Sequence, residues 1–322
     1  MNRRSIGRAP RWVHVFRSAL CVTIAISGVA CSTPDASAAL AQELPQEVLA
    51  YLLPDTVRQI EIRPGVVYWY LWSDRGPWAV HVVRADLAGQ CDLEFGVLQA
   101  EPRESGGQGH ERVTSMVGRS VDRVLAAVNA DFFTAEGTTV GTEIVDGRVV
   151  AARARPTFAW RLGSEPWIGI AGVTDDATRL RWPVDRTGGD GLTEAVGGFP
   201  DLIDQGRRVG DLEISARPSF AALRHPRTGI GYDPARGQAW VVVVDGRQSP
   251  HSAGMTLPEF AALFEAMGAS EALNLDGGGS SVMVLGGVAV SRPSDVTGER
   301  AVVNALALIE HPRGCSLAIA PR

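Results

Sequence analysis

Two apolar runs that each stop at an aspartate-glycine pair constrain this chain more than any other feature. AWVVVV (239–244) runs into Asp245-Gly246-Arg247, and EALNL (271–275) runs into Asp276 and three consecutive glycines. Runs this apolar suit strands covered on both faces. Between them lies TLPEFAALFEAMG (256–268), in which Thr256 and Glu259 form a capping box, Pro258 suits a first turn and Gly268 is placed to end a helix. Leu257, Phe260, Ala261, Phe264 and Met267 recur at helical spacing and predict one buried face. The strand-helix-strand unit delivers both acids to C-terminal strand ends, where ligands commonly sit.

The rest of the chain, from about Pro45, reads as short strands with few helices. VVYWYLW (66–72), AVHVVRADL (79–87) and LEFGVLQA (93–100) are β-branched and aromatic runs separated by turn residues, and they predict an antiparallel meander. A short helix over 112–120 leads into a strand over 123–130. TEIVDGRVVA (142–151) predicts a hairpin, because Asp146-Gly147 supplies the positive φ angles of a two-residue turn. The segment 161–191 carries the weakest pattern, with TGGDG (187–191) as its tip. The fold class is α+β, a strand-rich mixed or antiparallel sheet with a few flanking helices. With 322 residues, 45% of them hydrophobic, the chain has enough apolar material for one substantial domain over 42–322. A net charge of -5 and no long Lys/Arg block leave no footprint for nucleic acid or an anionic membrane.

The opening segment joins a basic start (Arg3, Arg4, Arg8, Arg11), an apolar run from Ser18 to Cys31 and small residues beyond, the pattern of an export signal over 1–41. That run is short for a bilayer span, so no transmembrane segment is expected in the mature protein. Cleavage after Ala39-Leu40-Ala41 and lipid attachment at Cys31 are both open. Outside this segment only Cys91 and Cys315 remain, and in an oxidising compartment they suggest one long-range disulfide. The chain carries no C-x-x-C or H-x-x-x-H pattern, so a zinc or haem site has no support.

The glycine-rich stretch is the first candidate for chemistry. Gly277, Gly278 and Gly279 have no side chains to block a bound group, and their N–H groups are expected to form an anion-accepting nest beside the hydroxyls of Ser280 and Ser281. Asp276 beside them is a candidate base, nucleophile or metal ligand. VNADFF (128–133) offers Asn129 as a sugar-hydroxyl partner and Asp131 as another carboxylate, with Phe132 and Phe133 read as core. In RHPRTGIGYD (224–233) one arginine, Arg227 above Arg224, is a phosphate partner, while His225 and His251 stand isolated and carry no role. Asp245 and Asp276 are also a possible pair for a divalent cation, with no other cofactor expected.

NADFF, AVGGFPDLIDQG (195–206), RTGIGYD (227–233), the run from Val241 to Val284 and SDVTGERAVVNALAL (294–308) together resemble the phosphodiester glycosidase family, over roughly Val124 to Leu308. The resemblance implies cleavage between a sugar's anomeric carbon and a phosphodiester oxygen. It places Asp276, Asp245 and Asp131 as catalytic candidates, although Asp131 stands where the family often has glycine. Asn129, Arg227, Arg247 and Gly277, Gly278, Gly279, Ser280 and Ser281 become substrate-binding candidates. The implied partner is a phosphorylated glycan or sugar-1-phosphodiester of an envelope or extracellular polymer. A non-catalytic binder of phosphorylated glycans and a phosphodiesterase cutting P–O are the alternatives.

Overall fold

The computed structural model describes residues 44–103, 107–161, 165–170, 172–173, 180–181 and 192–311. The export segment, the 187–191 tip and Cys315, the expected partner of Cys91, lie outside them. The described chain opens with α1 (Gln46–Leu52), β1 (Thr56–Arg63), β2 (Val66–Ser73), β3 (Trp78–Asp86), β4 (Leu93–Gln99), α2 (Val113–Arg119) and β5 (Arg123–Asn129). Short strands follow: β6 (Glu143–Val145), β7 (Arg148–Ala151), β8 (Pro156–Trp160), β9 (Trp167–Ile170), β10 (Gly172–Val173) and β11 (Leu180–Arg181). Next come β12 (Glu194–Gly197), β13 (Asp201–Asp204), β14 (Arg207–Arg208), α3 (Pro218–Ala221), β15 (Arg227–Asp233), β16 (Gln238–Val244), α4 (Leu257–Ala266) and β17 (Glu271–Asn274). The described chain closes with β18 (Met283–Leu285), β19 (Val288–Ala289) and β20 (Asn304–Glu310).

The largest sheet has the order β1-β2-β3-β16-β15-β17-β13-β14, and two five-stranded sheets, β7-β6-β12-β8-β9 and β19-β18-β5-β20-β4, accompany it. All the strand pairs among the described residues are antiparallel. The expected α+β class with few helices holds. The expected meander does not hold as a whole. β2 and β3 pair, but β4 leaves for another sheet and pairs with β20, nearly at the end of the described chain. Its apolar residues Leu93 and Phe95 then pack between the sheets rather than extend the first one.

The apolar character of β16 follows from its place in the middle of the large sheet. Trp240, Val242 and Val244 point to one face, where α1 and α4 cover them with Val48, Leu52, Phe260 and Phe264. Ala239, Val241 and Val243 point to the other, against Phe95, Leu125 and Phe158 of the smaller sheets. Both faces are dry, so period-two polarity disappears. The Thr256 side chain accepts from Glu259 N–H while the Glu259 side chain accepts from Thr256 N–H, the capping box expected at the start of α4. The Asp146-Gly147 turn has φ of 51° and 75° and joins β6 to β7 as expected.

β16 and β17 do not touch. β15 lies between them, antiparallel to both, so β16 and β17 run the same way and α4 crosses over β15. One sheet edge therefore collects the residue after β16, the first residue of β15 and the loop after β17. These are Asp245, Arg227 and Asp276.

Candidate active site

At that edge lies a cavity of about 230 Å³. Asp276 supplies its carboxylate, Arg227, Arg247 and Arg300 its cations, and Phe132 and Phe220 its apolar walls. His225 and the three glycines complete it. No single element builds this lining. Phe132 follows β5, Phe220 belongs to α3, Arg227 opens β15, and Arg300 comes from the loop before β20.

Asp276 is held by its neighbours. Its N–H donates to Ala130 O at 2.9 Å, its C=O accepts from Asn129 Nδ2 at 2.6 Å, and its Oδ1 accepts from Gly277 N–H at 2.9 Å. Burial raises its pKa from the ordinary 3.8 to about 6, against the opposing pull of the Ser280 hydroxyl, the Gly277 N–H and the Arg300 charge. The carboxylate is thus ionised at neutral pH but more basic than a solvated aspartate.

Arg227 is a buried cation, 1% exposed, without an ion pair among the described residues. Its Nε donates to Met255 O at 2.9 Å and its Nη2 to Phe220 O at 2.7 Å and Leu223 O at 3.3 Å. Burial and the like charge of Arg247 lower its pKa to about 9, which leaves it charged at neutral pH. Arg247 is exposed, with a left-handed φ of 58°, and its Nη2 faces His225 Nδ1 at 3.1 Å. Since Arg247 can only donate, His225 accepts at Nδ1 and donates from Nε2 to Ser219 O at 2.8 Å. Desolvation lowers the His225 pKa, so this ring is neutral at pH 7. Arg300 is paired with Asp295 at 2.8 Å and donates to Ser280 Oγ at 3.3 Å.

Two of the three amides expected to form a nest are used within the protein. Gly277 N–H is used by Asp276, Gly278 N–H donates to Pro226 O at 2.9 Å, and Ser280 and Ser281 N–H close a 3₁₀ turn over Gly278–Ser280. The three glycines have a different physical purpose: each vacates space for a different group. A Cβ on Gly277 would stand 2.8 Å from Pro226 O, and one on Gly278 3.2 Å from both Nη atoms of Arg247. A Cβ on Gly279 would collide with the Arg300–Asp295 pair. Gly278 also needs its φ of 63°. Backbone thinness lets Arg247 and Arg300 reach one cavity, which their guanidinium groups line together with that of Arg227. Ser280 meets Asp276 and Arg300, while Ser281 is buried and its hydroxyl has no partner among the described residues.

Three other expected site residues lie outside the cavity lining. Asp131, 2% exposed, is wedged between Gly141 and Gly197 and accepts from Gly141 N–H at 2.8 Å. Burial raises its pKa to about 8. Asp245, also 2% exposed, places Oδ2 2.9 Å from His251 Nε2 and 3.3 Å from His81 Nε2, while Oδ1 accepts from Arg292 N–H at 2.9 Å. Its oxygens bond within the protein, and it is not among the residues that line the cavity with Asp276. Among the described residues no group of three or more His, Cys, Asp or Glu side chains gathers in a metal-holding arrangement. Asn129, 1% exposed, spends its side-chain oxygen within the protein: its Oδ1 accepts from Thr228 Oγ1 at 2.8 Å and Val282 N–H at 3.1 Å. Asn129→Ala should therefore cost about 3 kcal/mol, because two buried donors and the Asp276 carbonyl lose their partner together; a urea midpoint unchanged from wild type would refute that role.

Arg224 takes the surface role open to it, paired with Glu259 at 2.6 Å. Phe132 lines the cavity instead of the core. Phe220, His225 and Arg300 were not assigned from sequence. For Arg300 a signal existed in its charged, glycine-containing loop, whereas Phe220 and His225 differ in no local way from structural residues.

Residues 122–309 match the family model described as phosphodiester glycosidase. The chain belongs to the phosphodiester glycosidase family. A Bacillus subtilis (strain 168) relative, the SPbeta prophage-derived uncharacterized protein YomE, is 40% identical over 211 residues. That match takes in 62% of this chain but only 29% of the relative, so the chain spans less than a third of that protein. Among solved structures, a hypothetical protein from Synechocystis superposes with a TM-score of 0.63 at 20% identity, over 80% of this chain and 64% of the other. The catalytic domain of zebrafish N-acetylglucosamine-1-phosphodiester alpha-N-acetylglucosaminidase, auto-inhibited by its pro-peptide, gives 0.54 at 22% identity, over 80% and 82%. At these identities the likeness is one of fold.

Proposed function

We propose that this chain hydrolyses the glycosidic bond of a sugar-1-phosphodiester, with a GlcNAc-1-phosphodiester-like unit of an envelope or extracellular glycan as substrate. The observation that carries the reading is the convergence of Arg227, Arg247 and Arg300 with the Asp276 carboxylate on one cavity. Two of these cations, Arg227 and Arg247, make no ion pair among the described residues, and guanidinium groups suit phosphate oxygens. The phosphate sits among them, and the sugar lies against Phe132 or Phe220.

A single lining carboxylate fits this chemistry. Ordinary glycosidases need a second carboxyl group to protonate a poor leaving alcohol. Here the departing group is a phosphate monoester, which leaves as an anion that the arginines stabilise. Asp276 then acts at the anomeric carbon, as nucleophile or as the base that activates water. The C–O bond breaks, the phosphate monoester keeps the bridging oxygen, and water supplies the new sugar hydroxyl.

The test is incubation with a synthetic GlcNAc-1-phosphodiester in oxygen-18 water. Label in the freed reducing sugar supports the reading, label in phosphate assigns a phosphodiesterase, and tight binding without turnover assigns a phosphoglycan-binding protein. The opening segment supports export, with cleavage after Ala41 or lipidation at Cys31 as the two routes and a Cys91–Cys315 disulfide in the mature chain. Intact mass of the exported protein, before and after reduction, separates these outcomes, and retention of the full opening segment would refute export processing. Among the described residues no helix is long and apolar enough to cross a membrane.

A further inference from the structure

Asp245 is buried at the sheet edge that carries the cavity, yet it faces away from the cavity lining into a polar chain of its own. His251 and His81 both place Nε2 on its Oδ2, and His81 Nδ1 lies 2.9 Å from the Tyr68 hydroxyl. For both imidazoles to donate to the carboxylate, each carries its proton on Nε2, and His81 Nδ1 accepts from Tyr68. The remaining oxygen, Oδ1, takes Arg292 N–H, and the Asp245 carbonyl accepts from Ser252 Oγ at 2.6 Å.

These bonds fasten two separate stretches of chain. The first is 245–255, where Arg247 N–H donates to Ala253 O and Gln248 N–H to Ser252 O. It carries Arg247. The second is 292–300, fastened by Arg292 N–H on Asp245 and by Gln248 Nε2 on the carbonyls of Arg292 (3.0 Å) and Pro293 (2.8 Å). It carries the Asp295–Arg300 pair. We propose that Asp245 is a positioning residue, the shared anchor that aims the Arg247 and Arg300 arms at the cavity, and that it does not touch substrate. The inference rests on the anion-binding reading of the cavity.

Asp245→Asn keeps the volume but turns an amide NH₂ toward two Nε2–H donors or toward Arg292 N–H, so at least one arm loses its anchor. His251 is partly exposed, and His251→Gln removes one strut without opening the core. Two readouts separate anchoring from chemistry: KM against kcat on the diester, and the affinity for inorganic phosphate followed by calorimetry on the full chain. The expected result for Asp245→Asn is a rise of about tenfold in both KM and the phosphate Kd with kcat reduced by less than about threefold, and a smaller rise for His251→Gln. A kcat loss of about a hundredfold with unchanged phosphate affinity would put Asp245 in the chemistry and overturn the proposal. Equal phosphate affinity in wild type and both variants, or none in any of them, also overturns it. If wild type binds phosphate but cleaves no diester, the hydrolase reading fails while the affinity comparison still decides the role of Asp245. Should Asp245→Asn not fold, the phosphate Kd of His251→Gln decides alone.

Discussion

Asp276→Asn should fold as the wild type does and release reducing sugar from a GlcNAc-1-phosphodiester at least about a hundredfold more slowly, with most of the loss in kcat. The amide keeps the oxygen that accepts from Gly277 N–H and preserves the volume at the cavity wall, while the Ala130 and Asn129 bonds to the main chain do not involve the side chain at all. What disappears is the negative charge of the one carboxylate in the cavity lining. No other lining residue replaces it, because the remaining titratable groups there are three arginines and a neutral histidine. The wild-type profile of kcat/KM should lose activity below about pH 6 as Asp276 takes up its proton, and the residual activity of the variant should lack that limb. The sign for stability is opposite. A carboxyl whose folded pKa is raised contributes stability that is fully present below its unfolded pKa and is lost as pH rises through about 6. Asp276→Asn should accordingly be less sensitive than wild type when urea midpoints are compared at pH 4 and pH 7. A variant with full turnover would remove Asp276 from the reaction.

The strand-helix-strand unit was legible because its signals are local: a doubly buried strand loses alternation, a capping box fixes a helix start, and an Asp-Gly pair fixes a hairpin. β1 was less visible, since much of it is an exposed edge strand with a polar burial pattern. β4 shows the limit of local signals, because its partner β20 lies some two hundred residues away and nothing in LEFGVLQA names it.

At the site, the sequence identified residue types at strand ends but not the direction of each side chain. Asp245 and Asp276 both end apolar strands, yet only Asp276 lines the cavity. Alternation along β16 gives the reason. Asp245 continues the parity of Val241 and Val243, the face on which the smaller sheets pack and His81 lies beside Val83. Asn129 has a similar history: an amide at a strand end resembles a sugar ligand but is needed to join β15, the Asp276 carbonyl and the strand after the 3₁₀ turn. The sequence predicts glycines that leave room for a bound group, and in the fold the space beside Gly278 and Gly279 is taken by the Arg247 and Arg300 side chains. That distinction depends on Arg247 and Arg300 arriving from loops distant in sequence, which spacing cannot encode.

The second large effect belongs to Arg227, and Arg227→Leu separates its two duties. In the folded chain three carbonyls, those of Met255, Phe220 and Leu223, surround its Nε and Nη2, and desolvation of the guanidinium is the leading cause of its lowered pKa. Replacement by leucine fills much of the apolar volume and removes the buried charge, but it strands those carbonyls, so the expected cost is about 2 to 3 kcal/mol, read from urea unfolding. The functional loss should be larger. A desolvated cation with no anionic partner gains more from a phosphate oxygen than a solvated one does, since the same charge pair interacts more strongly away from water. Inorganic phosphate should raise the thermal midpoint of the wild type and leave that of Arg227→Leu unmoved, and kcat/KM on the diester should fall by about a thousandfold. Arg227→Lys tests geometry apart from charge: the shorter ammonium can satisfy some of the carbonyls but cannot face a phosphate at the same time, so it should recover most of the stability and little of the phosphate response. A phosphate shift of wild-type size in Arg227→Leu would mean that Arg247 and Arg300 hold the anion alone and that Arg227 is a buried strut between α3 and β15.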